Sequence, residues 1–513
     1  MFSTTISGAL LGVEGFLLQV EVDVSNGMPS LEMVGLLGSE VKEAKERVRA
    51  SIKNLGIVIP PKRIVVNLSP ANVKKAGTAY DLPIAVGILK SMGVLPMDCT
   101  KDMVLVGELG LDGKIKPVAG VFPILAKAKE EGIKVCVVPK ENLQETSFFQ
   151  GMEVYGFENM VQLMDFFAGH GQACPFWEEK AIEEMDVCDG YENVRGQESG
   201  KRAALIGAAG AHNLLFIGPP GTGKTMLIKA LPSILPPLDE AEQMQVASIL
   251  SATGMGNGQV FSKLERPFVE VHHSATAHTL IGGGMIPKAG AMTLAHKGVL
   301  FLDELPEFKR NVLDVMRQPL EDGKISFYRQ GVTYTFPTEV MLVAAMNPCP
   351  CGYYPDKNRC LCLPYQVQKY LGHISGPILD RIDVIAQTTT MKETDQTFLK
   401  QEKTVTGEEM RKQVILARKI QEERFLEQVG HKEFTWNGKL KDKDLQTVCI
   451  LDVAAEKLAK RLMDKFSLSG RAYHSMLKVA RTIADLENSE KIEEKHLAEA
   501  AGYRMGFERY FYG

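Results

Sequence analysis

Gly218-Pro219-Pro220-Gly221-Thr222-Gly223-Lys224-Thr225 satisfies the pattern G-x-x-x-x-G-K-[ST] at every fixed position. Leu214-Leu215-Phe216-Ile217 before it is a buried-strand run, and the chain from Met226 onward is helical in character. The stretch therefore stands where a strand turns into a helix, a context that a chance glycine-rich turn lacks. Glycines there let the backbone wrap closely around a phosphate, with N–H groups pointing inward. The Lys224 ammonium can neutralise the β- and γ-phosphates, and the Thr225 hydroxyl can ligate Mg²⁺. Gly218 to Met226 are thus expected to cradle a nucleotide in an α/β domain.

Val299-Leu300-Phe301-Leu302-Asp303-Glu304 is a second apolar strand, ending in two carboxylates. Beside a phosphate loop, Asp303 would hold Mg²⁺ through water and Glu304 would orient and polarise the attacking water. Hydrolysis needs both, because phosphoryl transfer depends on positioning and charge neutralisation. The plain alternative is a strand followed by an acidic helix cap. A third strand, Met341 to Met346, ends at Asn347, which could contact the γ-phosphate or the water. Asparagine is also a common turn residue, so Asn347 alone fits either role.

With 513 residues the chain exceeds the about 250–300 that one core fills, so several domains are expected. Its 45% hydrophobic and 24% charged content excludes a chain disordered throughout. No apolar run approaches the length of a transmembrane helix, and MFSTTISGALLGVEG lacks the basic start of a secretory signal. Nine cysteines, an odd number, argue against a disulfide framework, so a reducing, cytoplasmic setting is expected. A net charge of -4 argues against a basic coat for DNA but leaves room for a local basic groove.

Residues 1–170 mix strand-like runs with a helical stretch from Glu40 to Asn54, which suggests an α+β domain. The runs are Val20 to Val24, Arg63 to Leu68, Val104 to Val106 and Val135 to Val138. Residues 171–193 read as a linker and 194–390 as the nucleotide-binding α/β domain. Residues 391–513 are charged and helical, with candidate helices Asp452–Phe466, Arg471–Leu486 and Glu494–Ala501.

Taken in order, these motifs resemble an AAA+ ATPase, and more closely the magnesium-chelatase-like group of the ComM/YifB type. Asn193-Val194-Arg195-Gly196-Gln197-Glu198, His272-His273-Ser274 with Ile281 to Gly284, Asn347 to Gly352 and Ile378 to Asp383 also match that group. The resemblance implies ATP and Mg²⁺ as cofactors, with Val194, Gly196 and Gln197 bordering the adenine pocket. It implies that Arg381 is an arginine finger reaching into a neighbouring subunit's site. Arg471, in Ser469-Gly470-Arg471-Ala472, matches the sensor-2 arginine of a C-terminal helical lid. A site completed in trans implies a ring, expected to be a hexamer. The group's nearest members imply helicase-like branch migration of DNA in recombination, including DNA taken up in natural transformation. Motor of a metal chelatase and chaperone-like remodeller of proteins are the rival functions.

The N-terminal part resembles the proteolytic domain of Lon (a ribosomal protein S5 domain 2-like fold), through Val106 to Gly113 and Val137 to Asn142. Lon uses a serine nucleophile and a lysine base, and the resemblance places Ala79 and Phe122 at those positions. A methyl or phenyl group can neither attack nor accept a proton, so a Lon-like domain without protease activity is expected.

Lys42, Lys45, Arg49 and Lys53 fall on one helical stripe, about 80° wide at 100° per residue, next to an apolar stripe of Val41, Ala44, Val48 and Ile52. That face could contact DNA, or be a solvated face partly neutralised by Glu43 and Glu46. Lys324 to Tyr334 reads as a hairpin. In similar AAA+ proteins a hairpin here projects into the pore, where Arg329 could grip phosphate and Tyr328 stack on a base. Gly282 to Lys288 matches a second pore-facing insertion, with Lys288 as its cation. An ordinary surface hairpin is the alternative. Cys349, Cys351, Cys360 and Cys362, spaced C-x-C-x₈-C-x-C, could close a structural Zn²⁺ site or be free thiols. His272 and His273 read as structural or interface residues.

Overall fold

Val20, Val22 and Val24 are buried while their neighbours Glu21 and Asp23 are not, the period of two that a one-sided strand imposes. The computed structural model describes residues 1–170, 173–176, 190–256, 258–389, 406–428, 436–466 and 468–505. Most of the expected linker lies outside these residues, as does the start of the expected lid.

Alternating strands build the first sheet. Its elements are β1 (Phe2–Leu11), β2 (Glu14–Ser25), β3 (Ser30–Val34), β4 (Arg63–Ser69) and β5 (Met103–Leu105). A short ribbon of β6 (Glu108–Leu109) and β7 (Ile115–Lys116) follows, then β8 (Val135–Pro139) and β9 (Glu153–Phe157). The sheet order is β3-β4-β2-β1-β5-β8-β9. β2 pairs antiparallel with β1 and β4, and the remaining pairings are parallel. Helix Ser39–Asn54 buries Val41, Ala44, Val48 and Ile52 and exposes Lys42, Lys45, Arg49 and Lys53, as its period requires.

The central sheet is parallel throughout. Its strands are β10 (Leu214–Ile217), β11 (Phe268–Val271) and β12 (Val299–Leu302), then, beyond the hairpin of β13 (Lys324–Arg329) and β14 (Val332–Pro337), β15 (Met341–Met346) and β16 (Val384–Gln387). The order is β11-β12-β15-β10-β16. Every residue of β10, β12 and β15 is buried, as expected for strands covered on both faces. β10 lies between β15 and β16, where the strand order reverses, and such a crevice at the carboxyl ends of parallel strands is where ligands bind. Tyr191, at the end of the expected linker, is fully buried in this core and donates to Leu227 O at 3.0 Å.

The C-terminal region is helical: Gly407–Gln428, Asp442–Val448, Val453–Phe466, Gly470–Leu486 and Glu494–Met505. Helix Glu198–Gly210 ends in left-handed Ala211 and leaves carbonyls that need donors. Arg418 donates to Ala208 O (2.7 Å) and Gln421 to Ala209 O (3.1 Å), so the first of the C-terminal helices caps the central one.

The N-terminal and central parts are joined through helix Glu240–Thr253. Gly120 N donates to Ser251 O (2.9 Å), Phe122 N to Ser251 Oγ (3.1 Å), and Ser251 Oγ to Glu145 Oε2 (2.5 Å). Ala79 and Phe122 sit in one apolar cluster that also takes in Ala247 and Phe261. The Phe122 ring lies 5.4 Å from Phe148 and 4.8 Å from Phe149. Among the described residues no helix is long and apolar enough to cross a membrane.

Candidate nucleotide-binding site

The turn after β10 has the shape a phosphate requires. Gly221 (φ +75°) and Gly223 (φ +83°) adopt left-handed backbone, which a side chain at either position would strain. At Gly218 the need is space, because a Cβ there would lie 2.1 Å from Thr388 Oγ1. Thr222 Oγ1 donates to Pro219 O (3.0 Å) and shares a hydrogen bond with Thr388 Oγ1 (2.7 Å), tying the loop to the end of β16. Gln197 Nε2 donates to Thr222 O (3.2 Å) and Thr389 O (2.7 Å), which holds the segment with buried Val194 and exposed Gly196 against the loop. Met226, in the helix behind the loop, is half exposed.

Lys224 Nζ donates to Gly218 O (2.8 Å), Pro219 O (2.9 Å) and Asn347 Oδ1 (3.2 Å). Burial holds its ammonium below the usual lysine range, with Asp303 opposing. A cation resting on neutral carbonyls in a partly desolvated place is disposed to take an anion. Thr225 Oγ1 donates to Asp303 Oδ2 at 3.2 Å. A hydroxyl and a carboxylate at this spacing are hard oxygen donors suited to Mg²⁺, so the residues present fit the group. Bound there with ATP, Mg²⁺ would neutralise charge on the β- and γ-phosphates.

Glu304 has left-handed backbone (φ +53°) and its N–H donates to Asp303 Oδ1 at 2.9 Å. The turn directs the two carboxylates apart: Asp303 meets Thr225, and Glu304 lies 3.7 Å from His273 Nε2. His272 and His273 stack with centroids 4.1 Å apart, and His272 Nδ1 hydrogen-bonds Ser274 Oγ (2.9 Å). His273 is thus a neighbour of the candidate catalytic carboxylate, a place that its reading as a structural or interface residue did not specify. β11 runs beside β12, and that adjacency brings the residues following the two strands together. Thr388 was also missed, since it carries no local motif.

Lys224, Thr225, Asp303 and Asn347 therefore meet at the carboxyl ends of β10, β12 and β15, with the Glu304 carboxylate beside them but turned toward His273. Arg381 and Arg471 join a separate group. Arg381 donates to Arg317 O (2.9 Å), Pro377 O (2.7 Å) and Glu321, and Arg471 Nη2 donates to the other Glu321 oxygen at 2.6 Å. Burial lowers the Arg381 pKa, Glu321 opposes this, and neighbouring Arg471 and Arg317 add to the lowering. Arg471 is thus placed with Arg381 and not with Lys224.

At the hairpin, Gln330 (φ +51°) and Gly331 (φ +80°) form a two-residue turn of the type that matches strand twist. Arg329 Nε reaches Gly284 O (3.4 Å), and Lys288 and Gly283 exchange backbone hydrogen bonds (3.0 and 3.1 Å). The hairpin and the Gly282 to Lys288 loop therefore touch, with Tyr328 69% exposed, Met285 76% exposed and Lys288 exposed. The sulfurs of Cys349, Cys351, Cys360 and Cys362 lie within 4.8 Å of one another.

Comparison with known proteins bears on this arrangement. Residues 190–396 match the family model described as magnesium chelatase, subunit ChlI. Residues 20–142 match a model for subunit ChlI of Mg-chelatase, and 404–504 one for the ChlI C-terminal region. The chain is 39% identical to competence protein ComM of Haemophilus influenzae, over 97% of this chain and 96% of that protein. It is 39% identical to YifB of Salmonella typhimurium, again over 97% and 96%. A weaker match, 26% identical over 29% of this chain and 30% of the relative, is to Lon protease 2 of Bacillus subtilis.

Proposed function

The chain belongs to the ComM/YifB group of magnesium-chelatase-like AAA+ ATPases, and from that premise we propose that it is a ring-forming, Mg²⁺-dependent ATP hydrolase that moves along or remodels DNA. The observation that carries the hydrolase part is the meeting of Lys224, Thr225, Asp303 and Asn347 at the switch point of a parallel sheet. Lys224 would grip the β- and γ-phosphates, Asp303 and Thr225 would hold the metal, and Glu304 would draw a proton toward itself from the attacking water. Asn347, already in contact with Lys224, orients that water or the γ-phosphate.

The arginine group supports assembly. Arg381 and Arg471 share a single carboxylate, Glu321, and the Arg317 charge also acts on Arg381, leaving an excess of positive charge. A phosphoryl group presented by a neighbouring subunit would answer that charge, which supports a hexameric ring with Arg381 acting in trans. DNA is supported by the exposed cations and aromatic of the touching hairpin and loop, Lys288, Tyr328 and Arg329. One relative is called a competence protein. On this account the N-terminal domain carries no protease activity, since Ala79 and Phe122 are packed in apolar surroundings.

The test is the ATPase rate with single-stranded DNA, forked DNA, unfolded protein or buffer alone. Stimulation by DNA, strongest with a fork, is expected. Stimulation by protein alone would replace the DNA motor with a protein remodeller. No hydrolysis under any condition would sink the enzyme assignment.

A further inference from the structure

Cys349 follows Asn347 by two residues, so its Cα lies within about 7 Å of the Asn347 Cα even in extended chain. It is fully buried against the central core. Around it gather three half-buried sulfurs, at Cys351, Cys360 and Cys362. Cys349 Sγ lies 3.3 Å from Cys351 Sγ and 3.8 Å from Cys360 Sγ, and Cys351 and Cys360 are 3.5 Å apart. Tetrahedral thiolates at about 2.3 Å from Zn²⁺ stand about 3.8 Å from one another. The observed spacings approach that geometry, and they are far from the about 2.05 Å of a disulfide.

The loop's conformation supports convergence as its purpose. In each C-x-C arm the cysteines turn inward and the residue between them turns out. Those outer residues are Pro350 and Leu361, and Leu361 is 89% exposed. The arms are therefore folded around their sulfurs and not around the apolar residue between them. Tyr354 N donates to Cys349 Sγ at 3.4 Å, and backbone amides of Tyr353 and Leu361 hydrogen-bond Cys351. Such backbone donors are the outer contacts that orient metal-bound sulfur. Soft sulfur donors select zinc or iron over Mg²⁺. Four protein ligands leave no open position, so the role is structural.

The loop also leans on the phosphate loop. Gly352 (φ +86°) approaches so closely that a Cβ there would meet Pro220 Cδ at 2.5 Å. One end of the cysteine loop therefore carries Asn347, hydrogen-bonded to Lys224, and its first turn backs the wall of the phosphate loop. We propose that Cys349, Cys351, Cys360 and Cys362 bind one structural Zn²⁺ that holds Asn347 and Pro220 in register, so that metal occupancy sets nucleotide affinity. The metal site stands on its own geometry, while the coupling rests on the nucleotide reading above.

The test uses the full chain purified in reductant without chelator, with metal content measured by elemental analysis and nucleotide affinity by titration with fluorescent ADP. About one zinc per chain is expected. Cys360→Ser and chelator-treated wild type should both lose it and bind ADP about tenfold more weakly, within the usual range of coupling between two binding sites. Added zinc should restore the wild type and not Cys360→Ser. Should Cys360→Ser fail to fold by circular dichroism, reversible depletion of the wild type carries the comparison. Zinc far below one per chain, or iron in its place, overturns the site. Zinc loss with unchanged ADP affinity overturns the coupling. If zinc-replete wild type binds no ADP, the nucleotide reading and the coupling fail together, and the zinc content alone decides the metal site.

Discussion

Arg381 and Arg471 donate to opposite oxygens of one carboxylate, that of Glu321, although they come from the edge of the central sheet and from the C-terminal helices. Two guanidinium groups share one negative charge, so the cluster is matched to a further anion. Lys224 of the same chain stands apart from this cluster, on Gly218, Pro219 and Asn347.

Arg381→Ala should therefore lower kcat by about 10³-fold or more, the scale of a supplied arginine, while ATP affinity changes little. The trans assignment makes a sharper demand. Arg381→Ala subunits mixed with Lys224→Ala subunits should regain part of the activity, because each supplies what its neighbour lacks. Mixing that recovers nothing, in rings shown to exchange subunits, would remove Arg381 from the neighbour's site.

Glu304 and His273 give a second expectation. Glu304→Gln keeps shape but cannot accept a proton, so ATP should bind normally and turn over about 10²–10³-fold more slowly. His273 lies 3.7 Å from that carboxylate and, among the described residues, makes no hydrogen bond or ion pair to the phosphate loop. His273→Ala should thus lower kcat less than Glu304→Gln and leave KM within about twofold, since it orients a group instead of reacting. Equal loss in KM would assign His273 to substrate binding. Near-normal turnover by Glu304→Gln would move the catalytic water elsewhere.

How much of this was legible before the fold follows from the range of each interaction. The phosphate loop and Asp303 could be read because fixed spacing and a flanking apolar run are local signals. The exposed face of Lys42, Lys45, Arg49 and Lys53 could be read because a period of 3.6 alone decides which side is buried. Glu321 and Thr388 were hidden, since each matters only through residues far along the chain that tertiary packing brings near. Arg471 could be recognised by motif but not placed, because the docking of the C-terminal helices on Ala208 and Ala209 sets its position. The proximity of His273 to Glu304 depends on β11 lying next to β12, which is a matter of strand order.

Glu145 offers a pH signature of the joint between the first two domains. Burial pushes its carboxyl above the usual carboxylate range, against hydrogen bonds from Ser251, Asn142 and Phe122 N. With the folded pKa above the unfolded value of 4.5, the native state holds more protons between the two. Stability from this group is full below pH 4.5 and falls as pH rises through the folded pKa. Thermal unfolding of wild type and Glu145→Gln across that window should diverge, with the variant lacking this fall. Parallel curves would show that Ser251 and Glu145 do not couple protonation to stability.

Arg329 and Lys288 separate two routes for DNA. Both are exposed on the touching hairpin and loop, whereas Lys42, Arg49 and Lys53 lie exposed on the N-terminal helix and form no ion pair among the described residues. Each phosphate contact releases counterions, so its loss should flatten the slope of log affinity against log salt by about one unit. Arg329→Ala with Lys288→Ala is expected to flatten the slope by about two and weaken binding at low salt roughly alike for all sequences. Tyr328→Ala should weaken single-stranded DNA by about 1–3 kcal/mol per stacked base while leaving the salt slope unchanged, because stacking releases no counterions. If Lys42→Gln, Arg49→Gln and Lys53→Gln together move the slope and the hairpin variants do not, the strand runs over the N-terminal domain and the hairpin has another role.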